Sequence, residues 1–398
     1  MIYLDNNATT CIDPVVAEAI TRCWRDLAGN PSSQHQFGRR ARRCLEESRE
    51  KIARLLGANT SGMRADRLVF TSGGTESNNL ALRGLAGKPT GKVITSAIEH
   101  PSVAATAEQL ARTGFERIEL PTGKDGTVQV AALADLLDNT TRLVSVMLAN
   151  HETGVIQPIR SVAGTCLAAG VPLHTDAVQA VAKIPVDFHG LGVAAMSVSA
   201  HKFHGPVGIG ALLVRHDIPL EPILYGGFQQ QGLRAGTESV ALAVGMSQAI
   251  ELWHQEGQHR QNHMHDLRVR LETKLQQEVP QLQILGAAAE RVPHTICAAF
   301  PGIDRQAFVM ALDLAGVACS TGSACASGSS EPSPVLQAMG VSMVLIECSV
   351  RFSLSVQTTA SDIDQSADCI TRIYQDLRQA QATRKTPGSP RKVQPNRL

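Results

Sequence analysis

The chain offers four settings in which ordinary side chains can do covalent or acid–base chemistry. In SAHKFHGPVGIG, Lys202 follows an apolar run, with Ser199 and His201 close by and a glycine-rich turn ahead. A lysine at a strand end in a confined site can shed its proton and capture an aldehyde, although by type alone lysine is more often a solvated surface charge. In HTDAVQA, Asp176 ends another apolar run and Gln179 follows one helical turn on. An aspartate there can hold a ring nitrogen protonated, and it can equally cap a helix; the two uses are compatible. In FTSGGTESNNLAL, Gly74 and Thr75 lie between a strand-like run and an amphipathic stretch that starts near Glu76, where free amides suit a phosphate. In SAIEHPSV, His100 offers a flat ring to lay on a flat ligand.

An aldehyde-capturing lysine, an acid for a ring nitrogen, a phosphate cradle and a stacking ring are together what pyridoxal 5′-phosphate asks of a protein. These groups must be positioned by elements, and from Arg67 to Leu213 short apolar runs alternate with helical patterns, as βα units around a mainly parallel sheet do. The runs are RLVFTS, GKVITSA, FERIEL, RLVSVMLAN, VPLHTDA, AAMSVSA and IGALLVR. They predict one seven-stranded α/β sheet with its functional groups at the carboxyl ends of the strands. Beyond Tyr225 comes a Gly/Gln-rich loop and then a helical pattern from about Val240 to Val279, long enough to bridge two domains. We expect a large domain over 14–255, a smaller α+β domain over 1–13 and 256–382, and a disordered basic tail over 383–398.

Composition removes several function classes. Lys plus Arg number 37 against 36 Asp plus Glu, a net charge of +1 that gives no field to gather nucleic acid. No run reaches about 18 apolar residues and no signal peptide opens the chain, which predicts a cytoplasmic protein with no membrane span. Nine scattered cysteines with no CxxC pair predict reduced thiols. The histidines of WHQEGQHRQNHMHD put His259 and His263 on one helical face, and their polar neighbours predict a solvated face with no metal.

With these residues in view, the chain resembles the cysteine desulfurases, pyridoxal-phosphate enzymes of the aspartate-aminotransferase fold (fold type I, class V), and among them the nitrogen-fixation and iron–sulfur-cluster group. The resemblance runs from YLDNNATT through GNPSSQHQFG, FTSGGTESNN, EHPSV, ANHETG, HTDAVQAV, HKFHGPVGIG, RAGTES and GSACASGSSEPS to VRFSLS, all but the tail. It implies that Lys202 holds the cofactor covalently, Asp176 pairs with its ring nitrogen, Gln179 bonds its phenolic oxygen and His100 stacks on its ring. Thr75, Ser199 and His201, with Gly74 beside them, would hold the phosphate. A homodimer would complete that site with Thr237 from the neighbouring subunit. Arg351 would grip the substrate carboxylate, helped by Asn30.

Cys325, in a Gly/Ser/Ala/Pro-rich stretch, matches the residue that sets these enzymes apart from ordinary aminotransferases. Cys319 reads as a buried strand end, and Cys297 and Cys348 as structural. The implied chemistry has L-cysteine displace Lys202, Lys202 take the α-proton as general base, and His100 serve a later proton transfer. The Cys325 thiolate then attacks the substrate sulfur, leaving alanine and a persulfide destined for an acceptor protein such as an iron–sulfur scaffold. A selenocysteine lyase, another C–S lyase and a non-catalytic scaffold are the competing readings.

The chain also departs from the family. His151 stands in ANHETG where most members have a second Asn, and it adds a titratable group to the site. Ala200 and Val207 replace a Gly and a Lys around the His-Lys pair, Gln230 and Gln231 replace Glu-Arg, and Glu347 and Cys348 replace a His/Ser pair.

Overall fold

The structure is a computed structural model that describes residues 1–87, 89–322 and 331–385. All seven expected runs form strands of one sheet: β2 (Arg67–Thr71), β3 (Lys92–Ser96), β4 (Glu116–Leu120), β5 (Thr141–Ser145), β6 (Leu173–Asp176), β7 (Ala195–Ser199) and β8 (Gly210–Val214), numbered after β1 (Ile2–Tyr3). Their order is β2-β8-β7-β6-β5-β3-β4. The pairings among β4, β3, β5, β6 and β7 are parallel, while β8 runs antiparallel to both β7 and β2. Strands β6, β7 and β8 are buried at every position, and β8 is apolar throughout, whereas edge strand β4 keeps charged residues exposed. Because only β8 is reversed, the carboxyl ends of the other six open on one side.

The four helices on the amino-terminal side are α1 (Pro14–Asp26), α2 (Gln36–Leu55), α3 (Gly74–Ala86) and α4 (Pro101–Arg112). α1 has a proline in its first turn and Asp13 accepting from Val15 N, and α4 has a proline there too. The expected bridging helix runs unbroken over Val240–Glu278. Its first half packs Met246, Ala249 and Ile250 into the core of the large sheet, and its second half packs Leu267, Leu271 and Leu275 into a separate core. We propose the division into 14–255 and, joined by 1–13, 256–382 on these two cores.

That second core is built on an antiparallel sheet of β9 (Gln283–Ile284), β10 (Thr295–Ala299) and β12 (Ser349–Ser353), ordered β12-β10-β9. The amino terminus joins it. β1 pairs in parallel with β11 (Val317–Ala318), and Leu4 N donates to Ala318 O at 2.9 Å and Ser353 N to Leu4 O at 2.7 Å. The closing helix, Ala360–Lys385, reaches past the expected start of the tail at 383; the rest of the tail lies outside the described residues. No helix among the described residues is long and apolar enough to cross a membrane.

Candidate active site

Strand β7 ends at Ser199, and a single 3₁₀ turn, Ala200–Lys202, carries Lys202 away from the sheet edge. Its Nζ donates to the carbonyls of Asn7 (2.5 Å) and Ala8 (2.8 Å), so the amine is seated by backbone from the far end of the chain. The backbone oxygen of Lys202 in turn accepts from Lys183 Nζ at 2.6 Å. Lys183 is almost wholly buried, which pushes its ammonium down to about 7, helped by the positive charges of Lys202 and Arg260.

Asp176 closes β6 and is 5 % exposed. Its Oδ2 accepts from Asn78 Nδ2 (2.7 Å) on α3 and its Oδ1 from Val178 N (2.9 Å). Hydrogen-bonded turns rather than a helix follow it, so its local role is to close a turn. Gln179 Nε2 donates to Asn7 O (3.0 Å), and an amide has a second N–H to offer.

His100 caps α4: its Nδ1 accepts from Ser102 N (3.1 Å) and lies 2.7 Å from Ser102 Oγ. With Nδ1 accepting, the proton of the neutral ring sits on Nε2. Burial lowers its pKa, with Asp176 opposing and Lys202 adding to the effect. The ring stands edge-on to His151, centroids 5.3 Å apart and planes at 74°. His151 is held well below the ordinary histidine range by burial, then by His100, Arg351 and Lys202. The titratable group expected at this position is therefore a neutral imidazole around pH 7, because a second positive charge has no solvent to shield it.

Lys202, His100, Asp176, Gln179, Gly74, Thr75, Ser199, His201 and His151 all line one cavity of about 250 Å³. The thirteen-residue helix α3, which begins at Gly74 rather than near Glu76, brings its free first-turn amides to the cavity. Gly74 has no room for a side chain, since a Cβ would come within 2.9 Å of Val178 Cγ2. Three buried polar atoms of the lining, Asn78 Oδ1, Ser199 Oγ and His151 Nδ1, have no partner among the described residues. Orphaned donors and acceptors facing a cavity are the mark of a polar ligand, and the residues present fit pyridoxal 5′-phosphate. His201, whose Nδ1 meets Thr9 Oγ1 at 3.2 Å, is pushed down to about 4 by burial and by Lys202.

Three expected residues lie outside that lining. Arg351, on β12, is 3 % exposed; its Nη1 donates to His151 O (2.9 Å) and its Nη2 to Asp5 Oδ1 (2.8 Å). Its buried Nε has no hydrogen-bond partner among the described residues. Asn30 is exposed and accepts from Ser32 N (2.9 Å), and its neighbours Pro31 and Ser32 line a separate cavity of about 310 Å³. Thr237 is exposed in the loop ahead of the long helix. Cys325 falls outside the described residues. Cys319 is partly exposed just after β11, with its thiol pushed up to about 12 by burial. Among the described residues no group of three or more His, Cys, Asp or Glu could hold a metal ion; His254, His259 and His265 are exposed, and His263 Nε2 meets Thr358 O at 2.9 Å.

Reasoning from residue types missed Asn7, Asn78 and Ser102. Asn7 is a hub: its carbonyl serves Lys202 and Gln179, its Nδ2 bonds His151 O (3.1 Å) and Thr295 Oγ1 (3.0 Å), and its Oδ1 meets His294 Nε2 (2.8 Å). The only signal was their place within YLDNNATT, FTSGGTESNN and EHPSV.

Residues 2–365 match the family described as aminotransferase class-V. The chain is 40% identical over 380 residues to the cysteine desulfurase IscS of Dictyoglomus turgidum, covering 95% of each chain. It is 39% identical over 379 residues to the cysteine desulfurase NifS of Azotobacter vinelandii, covering 95% of this chain and 93% of that one. Among solved structures, the NifS-like protein from Rickettsia africae superposes with a TM-score of 0.86 at 33% identity, covering 94% of this chain and 99% of that one. A protein named SspA, solved in complex with cysteine, superposes with a TM-score of 0.78 at 30% identity, covering 90% of this chain and 100% of that one.

Proposed function

The chain belongs to the class-V aminotransferases and, within them, to the cysteine desulfurases, and from that footing we propose that the cavity around Lys202 is where L-cysteine yields L-alanine and a persulfide on Cys325. The observation that carries the reading is convergence: Lys202, Asp176, Gln179, His100 and Ser199 come from separate stretches of chain and line one cavity. Bound there, pyridoxal 5′-phosphate supplies an electron sink for the substrate's α-carbon.

The chain's own groups do the rest. Lys202 is the covalent anchor and, once displaced, the base that takes the α-proton from the place its two carbonyl partners give it. Asp176, Gln179, Thr75, Ser199, His201 and Gly74 hold the cofactor, and neutral His100 donates from Nε2. Arg351, steadied by Asp5, orients the substrate carboxylate, with Asn30 as its helper. In the sulfur step a bond forms between the Cys325 and substrate sulfurs as the substrate C–S bond breaks. Its electron pair passes to the β-carbon, which takes a proton to become the methyl of alanine. Cysteine plus a thiol thus gives alanine plus a persulfide, with no outside oxidant.

The reading extends to a homodimer in which exposed Thr237 completes the neighbouring phosphate site, to a cytoplasmic location, and to a protein acceptor of the iron–sulfur scaffold kind. The free state of all eight described cysteines suits a reducing compartment. The test is direct. Borohydride should fix the cofactor to the wild-type chain and not to Lys202→Ala, while Cys325→Ser should keep its visible absorbance and form no persulfide from L-cysteine. A persulfide-forming Cys325→Ser protein would overturn the assignment.

A further inference from the structure

The loop that carries His151 into the cavity also carries Glu152, and Glu152 is tied to a different part of the chain. Asn150 sets the loop by accepting from Glu152 N and Thr153 N, both at 2.9 Å, and by donating to Ile98 O at 3.0 Å. The Glu152 side chain is 2 % exposed, and its Oε2 accepts from Ser333 Oγ at 2.6 Å. Gly322 lies against the same oxygen: a Cβ added there, at a backbone φ of +88° that favours glycine, would stand 3.0 Å from Oε2. Arg351 reinforces the arrangement by donating to Gly322 O (3.3 Å) and to His151 O (2.9 Å), and Arg305 donates to Glu331 O (2.6 Å). Gly322 and Ser333 flank the segment that holds Cys325.

We propose that Glu152 is a positioning residue for sulfur transfer, fixing relative to the cofactor cavity the two points between which the Cys325 segment is strung. The proposal rests on the assignment of Cys325 as sulfur acceptor. Its physical basis is the steep dependence of a group-transfer step on placement: a misplacement of about 1 Å can cost about 10²-fold. Glu152 does this without touching the reacting atoms. Burial raises its carboxyl pKa, and the Ser333 bond, Arg351 and Arg305 pull the other way. In either protonation state an oxygen is left to accept from Ser333, so an amide should replace the acid and a methyl should not.

The full-length, cofactor-loaded enzyme with Glu152→Ala, Glu152→Gln or Ser333→Ala separates the possibilities by two readouts. Exchange of the α-hydrogen of L-alanine for deuterium needs Lys202 and the cofactor but no thiol. Persulfide on Cys325 in a single turnover of L-cysteine, read by mass spectrometry, needs both. We expect Glu152→Ala to slow persulfide formation about 10²-fold with exchange held within about twofold, and Glu152→Gln to keep both rates. Loss of both rates in Glu152→Ala, or of neither, overturns the proposal. Should Glu152→Ala fail to fold, Ser333→Ala removes the same bond from the other side, together with the cap that Ser333 Oγ gives Leu336 N at 3.1 Å, and Ser333→Thr, which keeps a hydroxyl for both, should restore persulfide formation. No persulfide in the unsubstituted enzyme would instead overturn the assignment of Cys325, and the clamp with it.

Discussion

Around His151, His100 edge-on, Arg351 through the loop carbonyl and Lys202 across the cavity repel a proton, while Glu152 Oε1, 3.7 Å from its Nε2, favours one. Burial, the largest cause, decides the balance, so the ring is held neutral at pH 7 and behaves as a hydrogen-bonding group, as the asparagine usual at this place would. His151→Asn should therefore leave the pH midpoint of the bound cofactor's visible band unchanged. A displacement of a full unit, about 1.4 kcal/mol of differential interaction, would mean that the imidazole titrates in the working range. Lys202, Asp176 and His100 were legible in the sequence because each stands at the end of an apolar run. Asn7 was not. Its importance comes from partners at Lys202, His294 and Thr295, far away in sequence, and nothing local distinguishes an asparagine that joins four segments from one in a surface turn.

Among the elements, helix α2 shows a case where propensity and packing point in opposite directions. Gly38 sits in its first turn, and glycine inside a helix costs about 1 kcal/mol relative to alanine. A Cβ at Gly38, however, would come within 2.3 Å of Ser33 O and 2.8 Å of Asn30 O, backbone atoms of the turn that presents Asn30. Overpacking of this sort costs about 1–3 kcal/mol and outweighs the propensity gain. Gly38→Ala should lower the urea midpoint of unfolding, and a raised midpoint would show that the turn gives way freely. The sheet was the most legible level, since strands covered on both faces are rich in apolar residues, as β8 is throughout. The turn after Asp176 was misread as a helix. Three- and four-residue spacing in DAVQAVAK fits a helix equally well, and the positive φ of Ala182 (+56°) that breaks it leaves no trace in composition.

For the whole molecule, buried histidines set the response to acid. His174 is pushed down to about 3, His201 and His204 to about 4, and His100, His151 and His294 also fall below the ordinary value, in every case chiefly by burial. An unfolded chain takes up protons on these rings near pH 6.5 that the native state refuses, so stability rises with pH between about 4 and 6.5 and is lost on acidification through that window. Glu99, raised to about 8 by burial, and Glu152 act in the opposite sense, but they are two groups against six. The melting temperature of the cofactor-free protein should fall steadily from pH 6.5 to pH 4; a flat profile would contradict the buried neutral rings. The amino-terminal stretch bears on another property altogether. Asn7 and Ala8 seat the Lys202 amine, and that stretch is itself fastened to Ala318 and Ser353. A ribosome makes residues 1–10 more than 300 residues ahead of those two fastenings. The seat for Lys202 is therefore complete only once the segments of Ala318 and Ser353 have been made and have folded back on the amino-terminal stretch, so cofactor capture depends on residues made long after Lys202 itself.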